Sequence, residues 1–124
     1  MNGFEYVVLR CVPRVDREEF VNVGVVLYCQ QAKFLRAGCH VDSDRLRALS
    51  ADVDVDAVRS ALAAIDAVCR ADESAGEPGR ASIGTRFGFV KAPRSTVVQP
   101  GPVHGGRTED PARELDHLMD RLVR

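Results

Sequence analysis

Residues 20–29 read Phe-Val-Asn-Val-Gly-Val-Val-Leu-Tyr-Cys, the longest β-branched apolar run in the chain. With the two-residue period of a strand, Val21, Val23, Val25, Leu27 and Cys29 form one wholly apolar face. Phe20, Asn22, Gly24, Val26 and Tyr28 form the other. A strand apolar on both faces needs cover on both. This segment is therefore expected to be the central strand, hidden front and back.

Residues 4–12 make the strand before it, with Phe4, Tyr6, Val8 and Val12 on a face that Arg10 interrupts. Pro13 ends that strand because it has no N–H to give to a ladder. The charged stretch 14–19 is a solvated loop that delivers the chain into the central strand as an antiparallel neighbour. A short Gln30-Gln31-Ala32 connection and a strand over 33–39 complete a three-strand meander. Such a meander leaves an apolar face bare, so helices must follow.

Asp42 or Ser43 can cap a short helix carrying Leu46 and Leu49 inward. A longer helix is expected from about Asp54 to about Asp72, where Val55, Val58, Leu62, Ile65 and Cys69 recur at three- and four-residue steps. Residues 73–84 form a Gly/Pro/Ser/Ala-rich break, and the two glycines in 83–90 argue against a regular helix there. Residues 95–99 read as a short fourth strand stopped by Pro100-Gly101-Pro102, and 104–107 as a flexible turn. Asp110 followed by Pro111 is a strong helix start, with Ala112, Leu115, Leu118, Met119 and Leu122 as its apolar stripe. The expected fold is a single α+β domain over 1–124. It has a small antiparallel sheet, the meander plus a short fourth strand, covered by two main helices.

No apolar run approaches the roughly 20 residues that a membrane span needs, and the N-terminus lacks a secretory pattern, so a cytoplasmic location is expected. Cys11, Cys29, Cys39 and Cys69 form no Cys-x-x-Cys, and His40, His104 and His117 stand at no zinc-ligand spacing from them. They read as small buried hydrophobes in a reducing compartment, and no metal site is expected. The formal net charge of −1 hides an asymmetry. Residues 42–77 carry nine acids against four arginines, whereas 78–108 carry no acid but Arg80, Arg86, Lys91, Arg94 and Arg107.

Three groups of residues invite a functional reading. Asn22 and Gly24 break the rules of a central strand, as a β-bulge or as a place where a ligand approaches the backbone. Arg10 stands among apolar neighbours and must be either paired, with Glu19 or Glu5, or functional. The basic segment 80–107 offers Arg86, Arg94, Ser95, Thr96 and His104 for an anion, with Phe87 and Phe89 interleaved as in single-strand binders. The plainer reading is a solvated face, since nucleic-acid binders carry more net positive charge. Ser95 and His104 are the only nucleophile–base pair on offer, with no elbow motif around the serine. No Walker loop or dinucleotide fingerprint occurs, so no cofactor is expected.

Tyr6-Val7-Val8-Leu9-Arg10-Cys11-Val12-Pro13 followed by Glu19-Phe20-Val21-Asn22-Val23-Gly24-Val25-Val26-Leu27 resembles the opening signature of the uncharacterised bacterial DUF3037 family. Arg86-Phe87, Ala92-Pro93-Arg94-Ser95 and Asp110-Pro111-Ala112-Arg113-Glu114-Leu115-Asp116 are similar to its later signatures. Met119 departs from it, standing where an aromatic is expected. The resemblance spans nearly the whole chain and carries no established activity. It implies a HipA-like kinase, encoded nearby, as a partner.

The expected function is a non-catalytic binding or adaptor module for a protein partner. The alternative is an anion- or nucleic-acid-binding domain using 80–107, and the third choice is an enzyme acting on a phosphorylated substrate.

Overall fold

The computed structural model describes all residues from Met1 to Arg124. The chain is an α+β fold built on one antiparallel sheet. Strands β1 (Asn2–Cys11), β2 (Val21–Cys29) and β3 (Phe34–Cys39) form the meander. Helices α1 (Ser43–Leu49), α2 (Val55–Cys69), the single turn α3 (Glu77–Arg80) and α4 (Ile83–Lys91) follow. Strands β4 (Val98–Pro100) and β5 (His104–Thr108) and helix α5 (Pro111–Leu122) complete the chain.

The sheet runs β3-β2-β1-β4, and β5 pairs with the other half of the same edge of β1. Residues 98–108 are thus one broken strand beside β1, with 101–103 as the interruption. The expected flexible turn at 104–107 is an edge strand instead. Gly106 has a packing reason: a Cβ there would lie 2.6 Å from Phe4 Cζ, so only glycine lets the ring cover that position.

Both faces of β2 are covered. On one side α1, α2 and α4 pack over Val7, Leu9, Cys11, Val23 and Val26. On the other, Leu115, Leu118, Met119 and Val123 close over Phe4, Val25, Leu27 and Cys29. Burying such a side chain is worth about 1.5–3 kcal/mol relative to leaving it exposed, which is what holds α5 to the sheet.

The single apolar face expected for Val21 through Cys29 is divided. Asn22 pairs with Arg10 and Gly24 with Leu9, so Val23 has no partner opposite it and β2 bulges there. The extra residue switches the faces. Val23 and Val26 join the α2 side, whereas Val25, Leu27 and Cys29 face α5.

Asp54 caps α2 by accepting from Ala57 N–H at 3.0 Å, and the helix ends at Cys69, where Ala71 takes a left-handed conformation at φ 56°. Residues 83–91 are helical despite their glycines. Ser82 caps the helix, and Phe87 and Val90 are buried in the core. Packing of this kind outweighs the propensity cost of about 1 kcal/mol per glycine. Gly84 also admits Tyr28: a Cβ there would lie 3.3 Å from the Tyr28 hydroxyl. No helix is long and apolar enough to cross a membrane.

Candidate functional site

Strand parity decides where Arg10 goes. It lies opposite Asn22 on the face that also carries Phe20, just before β2 begins. The Phe20 ring lies over the guanidinium, with Cζ 4.1 Å from the ring centroid. Gly101 presses against the same group: a Cβ there would be 3.0 Å from Arg10 Cζ. Gly101 is held in place by its N–H donating to Val8 O at 2.7 Å. The result is a cup of about 400 Å³ around Arg10, walled by Val12, Val15, Glu18, Phe20 and Gln99.

The expected pairing of Arg10 with Glu19 or Glu5 does not form. Glu19 pairs with Arg17 on the exposed loop, and Glu5, at odd parity on β1, faces the other side of the sheet from Arg10. Arg14 pairs with Asp16. Arg10 therefore has no ion-pair partner, and its Nε is buried without a hydrogen bond. A buried donor left open costs about 1–3 kcal/mol. The surroundings are mixed, with Glu18 and Gln99 beside Val12, Val15 and Phe20, and open: Phe20 is 43% exposed and Val15 57%.

Asn22, beside Arg10, ties the sheet to α5. Its Nδ2 donates to Leu122 O at 3.0 Å, and its Oδ1 is buried without a partner. The bulge lies next to it, at Val23.

The basic segment is arranged differently. Arg86 donates through Nη1 to Val68 O and Cys69 O, at 3.2 and 2.6 Å, and through Nε to Ala81 O at 3.2 Å. It closes the C-terminus of α2, whose last carbonyls lack helical partners. Arg94 donates to Phe89 O, to Val90 O at 3.4 Å and to Ala92 O at 3.4 Å, doing the same for α4. Burial lowers its pKa. Lys91 lies 5.4 Å over the Phe87 ring. The Thr96 hydroxyl donates to Val98 O at 2.7 Å, and Ser95 is exposed. His104 is exposed on β5 and stacks on Tyr6 with centroids 5.2 Å apart. Phe87 is core, stacked on Tyr28, whereas Phe89 is 45% exposed.

Ser95 and His104 sit on different segments, with no hydrogen bond joining them. Arg94 and Thr96 line a second concavity of about 480 Å³ along the alanine face of α2. Its polar groups already have partners, so it offers a ligand mainly apolar surface. No cluster of metal-ligating side chains is present. The four cysteines are free; Cys11, Cys29 and Cys69 are buried, whereas Cys39, expected to be buried, is exposed, and burial pushes Cys69 up to about 12, so that thiol is not activated.

The structure thus brings Arg10 and Asn22 together and sets Glu19, Arg86, Arg94, Ser95, Thr96 and His104 apart from them. Phe20, Val15, Glu18 and Gln99 join the cup without having been singled out in the sequence. Phe20 had a signal, since it shares the parity of Asn22; Gln99, on another edge of the sheet, had none.

A family model described as "Protein of unknown function (DUF3037)" matches residues 6–123. No curated protein and no solved structure matches the chain.

Proposed function

This chain belongs to the DUF3037 family, and on that premise we propose that it is a non-catalytic binding module whose contact surface with a protein partner is the Arg10–Phe20 cup. The observation that carries the reading is a guanidinium with no acidic partner, stacked on a half-exposed phenylalanine. Interaction hot spots are enriched in arginine and aromatic residues set among surrounding contacts that exclude water. A cup whose walls are this exposed suits a protein surface better than a small ligand, which pockets bury by 70–90% or more.

The specific partner we propose is a HipA-like kinase encoded nearby, acting in the cytoplasm. The test is photo-crosslinking in native cells with a phenylalanine analogue at position 20 and, separately, at position 89, the other exposed aromatic. A kinase-sized adduct from position 20 and none from 89 is the expected result. Adducts from 89 alone would transfer the contact to the α2 groove.

A further inference from the structure

We propose that the Arg10 cup recognises an acidic side chain, an Asp or Glu of the partner flanked by apolar residues. This rests on the partner-binding reading above and names the chemistry that the same site would accept.

The Phe20 ring and Gly101 both press on the guanidinium. A ring stacked on a flat guanidinium leaves its N–H edge as the way in, and that edge matches the two oxygens of a carboxylate. No acid of this chain fills the role, since Asp16 and Glu19 are paired with Arg14 and Arg17. Glu18 also lines the cup but makes no ion pair with Arg10. Its negative charge disfavours a doubly charged phosphate more than a singly charged carboxylate. Val12, Val15 and Phe20 supply apolar walls for the residues beside the acid. A guanidinium also pairs with a chain-terminal carboxylate, so a free C-terminus is one arm of the test.

The test uses three blocked peptides titrated into the wild-type protein, with the Arg10 Nε–H resonance as readout. The first carries one Glu between leucines and an amidated C-terminus. The second replaces Glu by Gln. The third is the Gln peptide with a free C-terminus. The Glu peptide is expected to shift the resonance and the two Gln peptides to leave it in place. Arg10→Met is expected to weaken the Glu peptide by about tenfold to a hundredfold, the loss of a charge-assisted contact. If that variant does not fold, the wild-type titrations decide alone. A shift by the free C-terminus, equal shifts from Glu and Gln, a shift by inorganic phosphate as large as that by the Glu peptide, or no shift at all would overturn the assignment. Those results leave the partner reading to stand or fall on the crosslinks.

Discussion

The side-chain amide of Asn22 donates to the carbonyl of Leu122 at 3.0 Å, joining the bulge of β2 to the last turn of α5. Arg45 donates to the next carbonyl, Val123 O, at 2.8 Å. Two polar side chains from separate elements therefore close the C-terminus of a helix whose apolar stripe covers Phe4, Val25, Leu27 and Cys29 on one face of the sheet. Asn22→Ala is expected to lower unfolding stability by about 1 kcal/mol, the net worth of one hydrogen bond. Asn22→Asp is expected to cost more, because it sets a carboxylate against the negative end of the helix. Urea unfolding of the two variants checks the order; Asp at least as stable as Ala would show that the amide is not a cap.

Arg86 caps α2 from eighteen residues away in sequence, measured to Val68. Arg86→Ala takes the donor from Cys69 O, Val68 O keeping the Ala71 N–H at 3.2 Å, and is expected to cost about 1–3 kcal/mol. Lys91→Ala and Arg107→Ala, on exposed positions of the same segment, are expected to stay within about 0.5 kcal/mol. Thermal melts of the three variants separate a structural arginine from solvated charges. Equal effects would mean that the capping contacts contribute nothing.

Much of the architecture was legible in the chain. The β-branched run, the Asp54 and Asp110 caps and the heptad-like stripes of α2 and α5 each carry a local signal with one reading. What was not legible depended on residues far away. A one-residue bulge at Val23 reverses which valines share a face, and parity alone cannot announce it. Gly84 of α4 and Gly106 of β5 looked like breakers because Tyr28 and Phe4, which need the space beside them, lie elsewhere in sequence. The arginines of the basic segment read as free charge because their acceptors are backbone carbonyls, which every residue has. At the cup, the parity of Phe20, Asn22 and Arg10 was present in the sequence, whereas the contribution of Gln99 and Gly101 required the sheet order.

Gly24 on β2 and Gly38 on the edge strand β3 differ in what a methyl group would meet. At Gly24 a Cβ would lie 2.7 Å from the backbone carbonyl of Gly38; at Gly38 it would lie 2.8 Å from Met119 Cγ, part of a flexible side chain. A carbonyl fixed in the β2–β3 ladder yields less readily than a methionine side chain, which can repack. Gly24→Ala is expected to destabilise by about 1–3 kcal/mol, and Gly38→Ala by less. Denaturation midpoints test the ranking, and the reverse order would contradict the strand packing described here.

Burial pushes the Cys69 thiol from 9.0 to about 12, with Asp66 and Cys39 adding to the rise. Cys39 is exposed and is expected to contribute little. The unfolded chain releases the Cys69 proton from pH 9 upward, while the folded chain still holds it. The contribution to stability is therefore full below pH 9 and is lost as pH rises toward the folded value. Cys69→Ala is expected to flatten the decline of the urea midpoint above pH 9, whatever the cavity does to its absolute level. A decline as steep as in the wild type would place the thiol in a wetter setting.

Arg10 is the cation left open to a partner, while Arg86 and Arg94 are closed onto helix carbonyls. The most direct measurement is the yield of the position-20 crosslink in Arg10→Met, compared with the yield in Lys91→Ala and Arg107→Ala, with folding of each checked by its melt. The adduct is expected to disappear in Arg10→Met and to persist in the other two. An adduct that survives loss of Arg10 but disappears with Lys91 or Arg107 would contradict this and return the contact to the basic segment.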